Sequence, residues 1–397
     1  LAYPALMAEL IIGRHAHSNA VNALKLISPG ATTRRIGATT GIIGFIMASL
    51  ILSFYAIVAG WMIAHCLGSL TDIFGIESAS RWLIDFGFTR NITFMLLFIA
   101  LTVGIISEGV QQGIERWSAR LMPMLLVTLL LLVVYVLTLD GAIDGLKVYL
   151  LPDFERAMSP ALIINALGSA FFSLSLGVGT MLVYGSYIND SENLPVVGGL
   201  VTLVDISIAV MAGFLVLPAM YVALHNGVEI FTATGELISE DTLIFTVLPE
   251  LFNTMGIAGT VVSFTFFFLM SIAALTSSIS MLEVPVAYTI EEHGVSRKRS
   301  VIVIGVAIAV VSTIILINFE QLFGFVVALT TRYSQPLLGF MFCIYAGWIW
   351  QRDKVLQEVR KGCPDVENYL FWKIWPSYVR YVCPVIILAI FAQTVFG

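Results

Sequence analysis

The stretch that decides the fold is residues 165–188, NALGSAFFSLSLGVGTMLVYGSYI. It carries no charge and is long enough to cross a membrane, since a spanning helix needs about 20 residues. Gly177 and Gly179 nevertheless lie near its middle, beside Ser173 and Ser175. Because each glycine weakens a helix by about 1 kcal/mol relative to alanine, this pair can allow a break. A break would expose carbonyls and a helix N-terminus, which can bind a cation and a carboxylate respectively. Close packing of an unbroken helix against a neighbour is the alternative that the glycines leave open.

The whole chain has the composition of a membrane protein. Of its 397 residues, 58% are hydrophobic and 12% are charged, whereas soluble domains have about 25% charged residues. A soluble fold needs a charged exterior, so this composition excludes soluble enzymes and disordered chains. The net charge of −6 offers no basic surface to a nucleic acid, and no nucleic-acid partner is expected. The sequence predicts a multi-pass protein of the cell membrane, with the lipid bilayer as its partner.

Ten apolar segments divide the chain, and no long linker separates them into domains. The first, residues 1–12, would be about 18 Å long as a helix. That is too short to span a membrane, so we interpret it as the end of a helix whose beginning is missing. One transmembrane domain is expected over residues 1–397. The other nine segments lie near residues 39–70, 92–107, 121–139, 161–188, 195–223, 257–290, 300–317, 321–350 and 378–397.

The basic residues predict the orientation in the membrane, because Lys and Arg accumulate in cytoplasmic loops. If the loop after the first segment is cytoplasmic, fifteen of the twenty Lys and Arg residues lie inside, among them Arg34, Arg35 and Lys354. Four lie outside, and Arg332 falls within an apolar segment. This bias places the C-terminus outside.

Several polar residues inside apolar segments are candidates for a binding site. Asp205 lies within 195–223, where a carboxylate indicates a cation ligand or a proton carrier unless it is a hydrogen-bonded structural acid. Residues 276–280 include four hydroxyls that can coordinate a hard cation such as Na⁺ or bond to the preceding helical turn. Tyr55 alone is typical of core packing. Together these residues suggest a cation site and a polar-ligand site shared by several helices, as in a secondary transporter.

The order of five short motifs extends this interpretation along nearly the whole chain. It resembles the neurotransmitter:sodium symporter family, in particular its bacterial amino-acid:sodium symporters. The motifs are Glu9-x-x-x-Gly13-Arg14; Tyr55 six residues before Trp61; Gly113-Ile114-Glu115-Arg116 followed by Met122-Pro123; Phe171-Phe172-Ser173-Leu174-Ser175-Leu176-Gly177-Val178-Gly179; and Leu275-Thr276-Ser277-Ser278-Ile279.

The resemblance implies an all-α membrane protein with the five-plus-five inverted-repeat transporter fold and a broken helix. About ten helices are expected here, because the family's first transmembrane helix is absent. What remains of repeat 1 would cover about 1–140, repeat 2 about 161–350, and an extra helix about 378–397. The family also places an acid at the outer end of its tenth helix, a role to which no residue of this chain is assigned.

The resemblance also implies two Na⁺ sites and an amino-acid site. The Ala273 carbonyl, Thr276 and Ser277 would hold one Na⁺, and Ser173 and Asp205 would hold the other. Animal members of the family use chloride beside the second site, whereas the carboxylate of Asp205 would supply that charge here and make chloride dispensable. Tyr55 would bind the substrate carboxylate and Phe172 would cover the pocket. The pocket lining would be Ile51, Ser175, Val178, Ser277 and Met281.

This set of residues predicts a sodium-coupled symporter of a neutral, hydrophobic amino acid that works by alternating access. Two alternatives are a non-transporting receptor or regulatory protein on the same fold and a proton-coupled amino-acid permease. An enzyme is not expected, because no nucleophile–base pattern is found and the histidines form no cluster. The histidines are His15, His17, His65, His225 and His293.

Overall fold

The computed structural model describes residues 2–151, 159–231 and 243–396. This part of the chain is built from α-helices, several of which are continued by short π-helical turns. In chain order the helices are α1 (Ala2–Ala16), α2 (Ala20–Leu26), α3 (Ala31–Ile73), α4 (Glu77–Ile84), α5 (Phe88–Ser107), α6 (Arg116–Val136), α7 (Ala142–Leu150), α8 (Pro160–Ser173), α9 (Thr180–Ser186), α10 (Leu194–His225), α11 (Leu248–Thr254), α12 (Gly256–His293), α13 (Arg297–Ile317), α14 (Phe319–Val327), α15 (Gln335–Ile344), α16 (Arg352–Arg360), α17 (Leu370–Ser377) and α18 (Cys383–Phe396).

Seven helical stretches among the described residues are long and apolar enough to cross a membrane. Six of them contain α3, α5, α6, α10, α12 and α13, and the seventh runs from Leu370 to Thr394 through α17 and α18. The other three apolar segments are also helical. They are the short α1, the broken pair α8 and α9, and α14–α15, which a π-helical turn at Ala328–Ser334 joins. The predicted all-α membrane fold is therefore confirmed, while the division into two repeats stays a prediction.

Helix α3 lies at the centre of the fold. Helix α12 packs along it, and α5 and α13 contact it as well. Their apolar faces form one buried cluster that also takes in Val178 from the broken segment. A second cluster joins α1 and α9 to α15–α18, and a third joins α6 and α10–α12. The broken segment therefore lies between two cores.

Helices α1 and α9 approach each other closely through glycines. A Cβ on Gly13 would lie 2.0 Å from the Leu182 carbonyl oxygen, and one on Gly185 would lie 2.6 Å from that of Leu10. Small residues of this kind allow membrane helices to pack backbone to backbone. The contact fixes α1 against the second half of the broken helix.

The short helices between the spanning segments were not predicted. Helices α2, α4, α7, α11 and α16 have 7–9 residues each. Each is short and contains at least one charged residue, so none forms a charge-free run of spanning length in the sequence. The helix that contains the last apolar segment also begins earlier than expected, at Leu370 rather than near residue 378.

Candidate functional site

The helix at 165–188 is broken at the pair of glycines. Helix α8 ends at Ser173 and α9 begins at Thr180. Between them the backbone takes left-handed conformations, with φ of +51° at Ser175 and +82° at both Gly177 and Gly179. The interpretation of 165–188 as one continuous packed helix is therefore wrong.

Gly177 is required by space as well as by conformation. A Cβ at this position would lie 2.1 Å from the backbone carbonyl oxygen of Gln335 at the start of α15. The Gln335 side chain in turn donates to the Phe171 carbonyl oxygen at 3.4 Å. The break is thus fitted against α15, and Gln335 is a residue of the site that the sequence did not indicate.

Glu9 holds the break from the opposite side. Its carboxylate accepts a hydrogen bond from the Gly177 N–H at 2.7 Å, and its side chain is buried. Its second oxygen, Oε2, has no described partner. A buried polar group without a partner is costly, so Glu9 is a candidate member of the site. The signal in the sequence was a single acid within the first apolar segment.

Ser173 and Asp205 lie together at the end of α8. The Ser173 hydroxyl donates to the Asp205 carboxylate at 2.6 Å across to α10. This contact brings a hydroxyl and a carboxylate oxygen to the same point beside the break, and oxygens of both types suit a hard cation. Their role as Na⁺ ligands stays a prediction.

The four hydroxyl-bearing residues at 276–280 on α12 differ in their contacts. The Thr276 hydroxyl donates to the Ala273 carbonyl oxygen at 2.9 Å, and Ser277 lies near the Tyr55 hydroxyl. Ser278 instead bonds to Thr102 on α5 at 2.8 Å, and Ser280 to Tyr184 on α9 at 2.7 Å. Ser278 and Ser280 therefore link α12 to other helices.

The predicted pocket residues are brought together only in part. Ile51, Val178 and Met281 belong to one buried cluster, and Tyr55 packs at its edge. Phe172 lies apart from them and is 44% exposed. It lines a cavity of about 820 Å³ beside α8, together with Phe54, Arg332 and Gln335. The pocket and this cavity are neighbours through Phe54 and Tyr55, and the sequence did not predict the cavity.

At the predicted cytoplasmic ends, polar contacts join α9 and α2 to α12. Tyr187 donates to the Glu283 carboxylate at 2.6 Å, and Arg297 pairs with the same carboxylate at 2.5 Å. The Asn19 N–H donates to Glu291 at 2.7 Å. These contacts tie the ends of α9 and α2 to α12 on this side. Within the described residues, no group of three or more His, Cys, Asp or Glu side chains could hold a metal ion.

Helix α1 is also tied to α16 by a buried ion pair. Arg14 donates to the Glu358 carboxylate at 2.8 Å and to the Glu192 carbonyl oxygen at 2.8 Å. Burial by itself would raise the pKa of Glu358, but hydrogen bonds from His15, Lys361 and Arg14 lower that pKa to about 2. Helix α1 thus contacts the break through Glu9 and contacts α16 through Arg14.

The Glu358 pair predicts a loss of stability in acid. Because the folded-state pKa lies below the ordinary value of 4.5, the ionised carboxylate stabilises the fold fully above about pH 4.5, and this contribution is lost as the pH falls toward 2. Glu358→Gln leaves Arg14 buried without its partner and should cost about 3 kcal/mol at pH 7. The measurement is the melting temperature in detergent from pH 7 to pH 3. The difference in melting temperature between the wild type and Glu358→Gln should become smaller as the pH falls toward 3.

Glu367→Gln is the matched control, because Glu367 forms an exposed ion pair with Arg360 on the same helix. Exposed pairs contribute at most about 1 kcal/mol. A Glu358→Gln protein as stable at pH 7 as the Glu367→Gln protein would contradict the assignment.

Comparison with known proteins places the fold and site in context. Residues 84–397 match the sequence profile described as the Sodium:neurotransmitter symporter family. An uncharacterized sodium-dependent transporter of Bacillus subtilis, YhdH, is 31% identical over 100% of this chain and 87% of its own length. The sodium-dependent serotonin transporter of Drosophila melanogaster is 27% identical over 83% of this chain and 51% of its own. The crystal structure of MhsT in complex with L-phenylalanine matches with a TM-score of 0.82 and 31% sequence identity. The match covers 99% of this chain and 88% of the MhsT chain.

Proposed function

Because the chain belongs to the sodium:neurotransmitter symporter family and is a sodium-dependent, multi-pass membrane transporter, we propose that it carries a neutral, hydrophobic amino acid together with Na⁺. The observation that carries the proposal is the break between α8 and α9. The break lies beside the Ser173 hydroxyl and the Asp205 carboxylate. It also contributes Val178 to the apolar cluster against which Tyr55 packs. The oxygens would bind a cation, Tyr55 would bind the substrate carboxylate, and the apolar cluster would contact the substrate side chain.

Two Na⁺ ions are proposed to bind. One is held by Ser173 and Asp205, and the other by the Ala273 carbonyl, Thr276 and Ser277. The hydrogen bond from Thr276 to Ala273 supports the second site, because it holds the two oxygens side by side while the hydroxyl lone pairs stay available. Oxygen ligands of this kind suit a hard cation.

Thr276→Val should weaken Na⁺ binding selectively. The substitution keeps the shape of the side chain but removes one oxygen ligand. Hydrogen bonds and contacts to a charged group are worth about 1.5–3 kcal/mol, so the Na⁺ concentration for half-maximal uptake should rise roughly tenfold or more. The measurement is uptake in proteoliposomes as a function of external Na⁺.

Two variants control this experiment. Thr276→Ser keeps the oxygen and should restore the Na⁺ response. Ser271→Ala removes a hydroxyl of the same helix that bonds only to the Phe267 carbonyl in the preceding turn, and it should leave the Na⁺ response unchanged. An unaltered Na⁺ response in Thr276→Val would rule out this site.

The substrate is proposed to be neutral and hydrophobic. Ile51, Val178 and Met281 are buried in one apolar cluster, and none of the predicted pocket residues is charged at the side-chain end. Tyr55 and Ser277 supply hydroxyls for the substrate carboxylate. The complex of MhsT with L-phenylalanine is consistent with this class. Val178 is smaller than the phenylalanine that some family members have at this position, which would leave more room.

Chloride is proposed to be dispensable. Asp205 is a carboxylate at the position where animal members have asparagine, and Ala209 stands one turn later where they have serine. The negative charge that those members take from chloride is therefore already present on α10, beside Ser173.

Transport is proposed to proceed by alternating access. Na⁺ bound at the break would stabilise the arrangement of α8 and α9 that accepts the amino acid. The bundle containing α1, α8, α9 and α10 would then move against the scaffold of α3, α5, α12 and α13. The bonds of Tyr187 and Asn19 to α12 join these two groups of helices and would have to open when the site faces the cytoplasm.

The test of this proposal is uptake of labelled L-leucine by proteoliposomes in Na⁺ or choline medium, with competing unlabelled amino acids. Uptake should require Na⁺ and should be inhibited by tyrosine and tryptophan but not by glutamate or lysine. Uptake that persists in choline at low pH would favour a proton-coupled permease. Preference for glutamate or lysine would refute the assignment of substrate class.

A further inference from the structure

Two cavities near the ends of α1, α3 and α15 adjoin each other, since they share lining residues. The first, of about 700 Å³, is lined by Lys25, Leu26, Arg34 and Arg35. The second, of about 500 Å³, shares Leu26 and Arg34 and adds Lys354. We call the two cavities together the basic groove. Its members come from three separate parts of the chain.

The positive charge of the basic groove is largely unneutralised. Among the described residues, no carboxylate pairs with Arg34, Arg35 or Lys354. The hydrogen bond described for Arg34 goes to the Ser28 carbonyl oxygen at 3.3 Å, and Lys25 reaches Glu292 at 3.6 Å. Glu358 is the one acid in the lining of the two cavities.

Glu358 does not offset the charge of these exposed cations. It is 1% exposed, and its carboxylate is already paired with Arg14, His15 and Lys361. The groove therefore presents cations toward an open space from at least three positions. Such an arrangement fits a ligand that carries negative charge.

The position of the basic groove points to the source of that ligand. The groove lies where α1 ends, where the long α3 begins and where the last apolar turn after α15 ends at Trp350. Leu26, which lines both cavities, is 59% exposed, and Ile36 beside Arg35 is 46% exposed. Cations next to exposed apolar side chains at helix ends are typical of the boundary between lipid tails and headgroups.

The two walls of the groove are held together. The Tyr345 hydroxyl donates to the Thr33 carbonyl oxygen at 2.5 Å, next to Arg34 in the chain. This bond joins the end of α15 to the first turn of α3. The cations are thus presented by a fixed frame rather than by independent loops.

We propose that the basic groove binds the headgroup of an anionic phospholipid of the cytoplasmic leaflet, with Arg34, Arg35 and Lys354 around its phosphate. Arginine matches phosphate with paired N–H donors, and basic pockets between helices on the cytoplasmic side are suited to anionic headgroups. The exposed Leu26 would contact the start of the acyl chains. The proposal uses the orientation expected from the Lys and Arg distribution and does not depend on the substrate.

The test compares binding of labelled phosphatidylglycerol to the purified transporter in phosphatidylcholine nanodiscs. Each cation near an anionic membrane surface contributes enough for about a fivefold change in affinity. Arg34→Gln with Lys354→Gln should therefore weaken binding roughly 25-fold. Arg34→Lys keeps the charge and should retain most of the binding. Melting temperatures of all variants verify that they are folded.

The control is Lys298→Gln with Arg299→Gln, which removes two exposed cations on the same predicted side but outside both cavities. It should change the affinity less than twofold. Equal losses in the two double variants would overturn the proposal, since charge alone would then explain binding. Saturation of the groove by glycerol 3-phosphate or inorganic phosphate, with displacement of phosphatidylglycerol, would assign the site to a soluble anion instead.

Discussion

Uptake by Asp205→Asn is expected to fall at least about tenfold in chloride-free medium. Asp205 is the carboxylate next to the break, and it accepts a hydrogen bond from Ser173 at 2.6 Å. Its charge is proposed to balance a bound Na⁺. Interactions with a charged group are worth about 1.5–3 kcal/mol, which corresponds to a loss of about 10- to 100-fold in binding. Asparagine keeps the size and one oxygen, so the variant isolates the charge.

The measurement is uptake with chloride or with gluconate as the anion. Both complete loss of uptake and uptake that now requires chloride would agree with this role of Asp205, because in each case the missing charge limits binding. Ser207→Ala on the same helix is the matched control, since its hydroxyl bonds only to the Leu203 carbonyl in the preceding turn. Full activity of Asp205→Asn without chloride would contradict the proposed role of the charge.

Gly177→Ala is expected to abolish transport and to lower stability. A Cβ would lie 2.1 Å from the Gln335 carbonyl oxygen, and φ at this position is +82°. The left-handed conformation alone costs about 1–2 kcal/mol for alanine, and overpacking adds about 1–3 kcal/mol. Relief of the clash would move the residues around Gly177 away from α15. It would also disrupt the hydrogen bond from the Gly177 N–H to the Glu9 carboxylate. The measurements are melting temperature and uptake per folded transporter.

Gly75→Ala separates the two causes. Gly75 also has a positive φ, +71°, but a Cβ there meets no atom within 4 Å. This control should lose only the conformational part of the stability and should transport normally. If Gly177→Ala transported like Gly75→Ala, the close fit of the break against α15 would not matter for function.

The sequence predicted the elements of this fold better than their contacts. The ten apolar segments and the break at Gly177 and Gly179 depend on local composition and on the backbone freedom of glycine, and both can be read along the chain. The contact between Glu9 and Gly177 spans 168 residues, and the approach of Gln335 to the break depends on how α15 packs. Neither leaves a periodic signal in the sequence.

For the candidate site, too, the sequence predicted the residues better than their contacts. Ile51, Val178 and Met281 were predicted together and lie in one buried cluster, Ile51 on α3, Met281 on α12 and Val178 in the break between α8 and α9. Phe172 was predicted to cover this pocket, and it lines the cavity of about 820 Å³ beside α8; its covering role stays a prediction. The roles of these residues in binding stay predictions until transport is measured.

Coupling of Na⁺ entry to amino-acid movement distinguishes the proposed symporter from a protein that merely binds the amino acid. The most direct test loads proteoliposomes with K⁺, places them in Na⁺ medium and follows internal L-leucine beside equilibrium binding to the same preparation. We expect Na⁺-dependent accumulation above the external concentration, which collapses when monensin dissipates the gradient. Na⁺-dependent binding without accumulation would contradict coupled transport and would identify a receptor on a transporter fold.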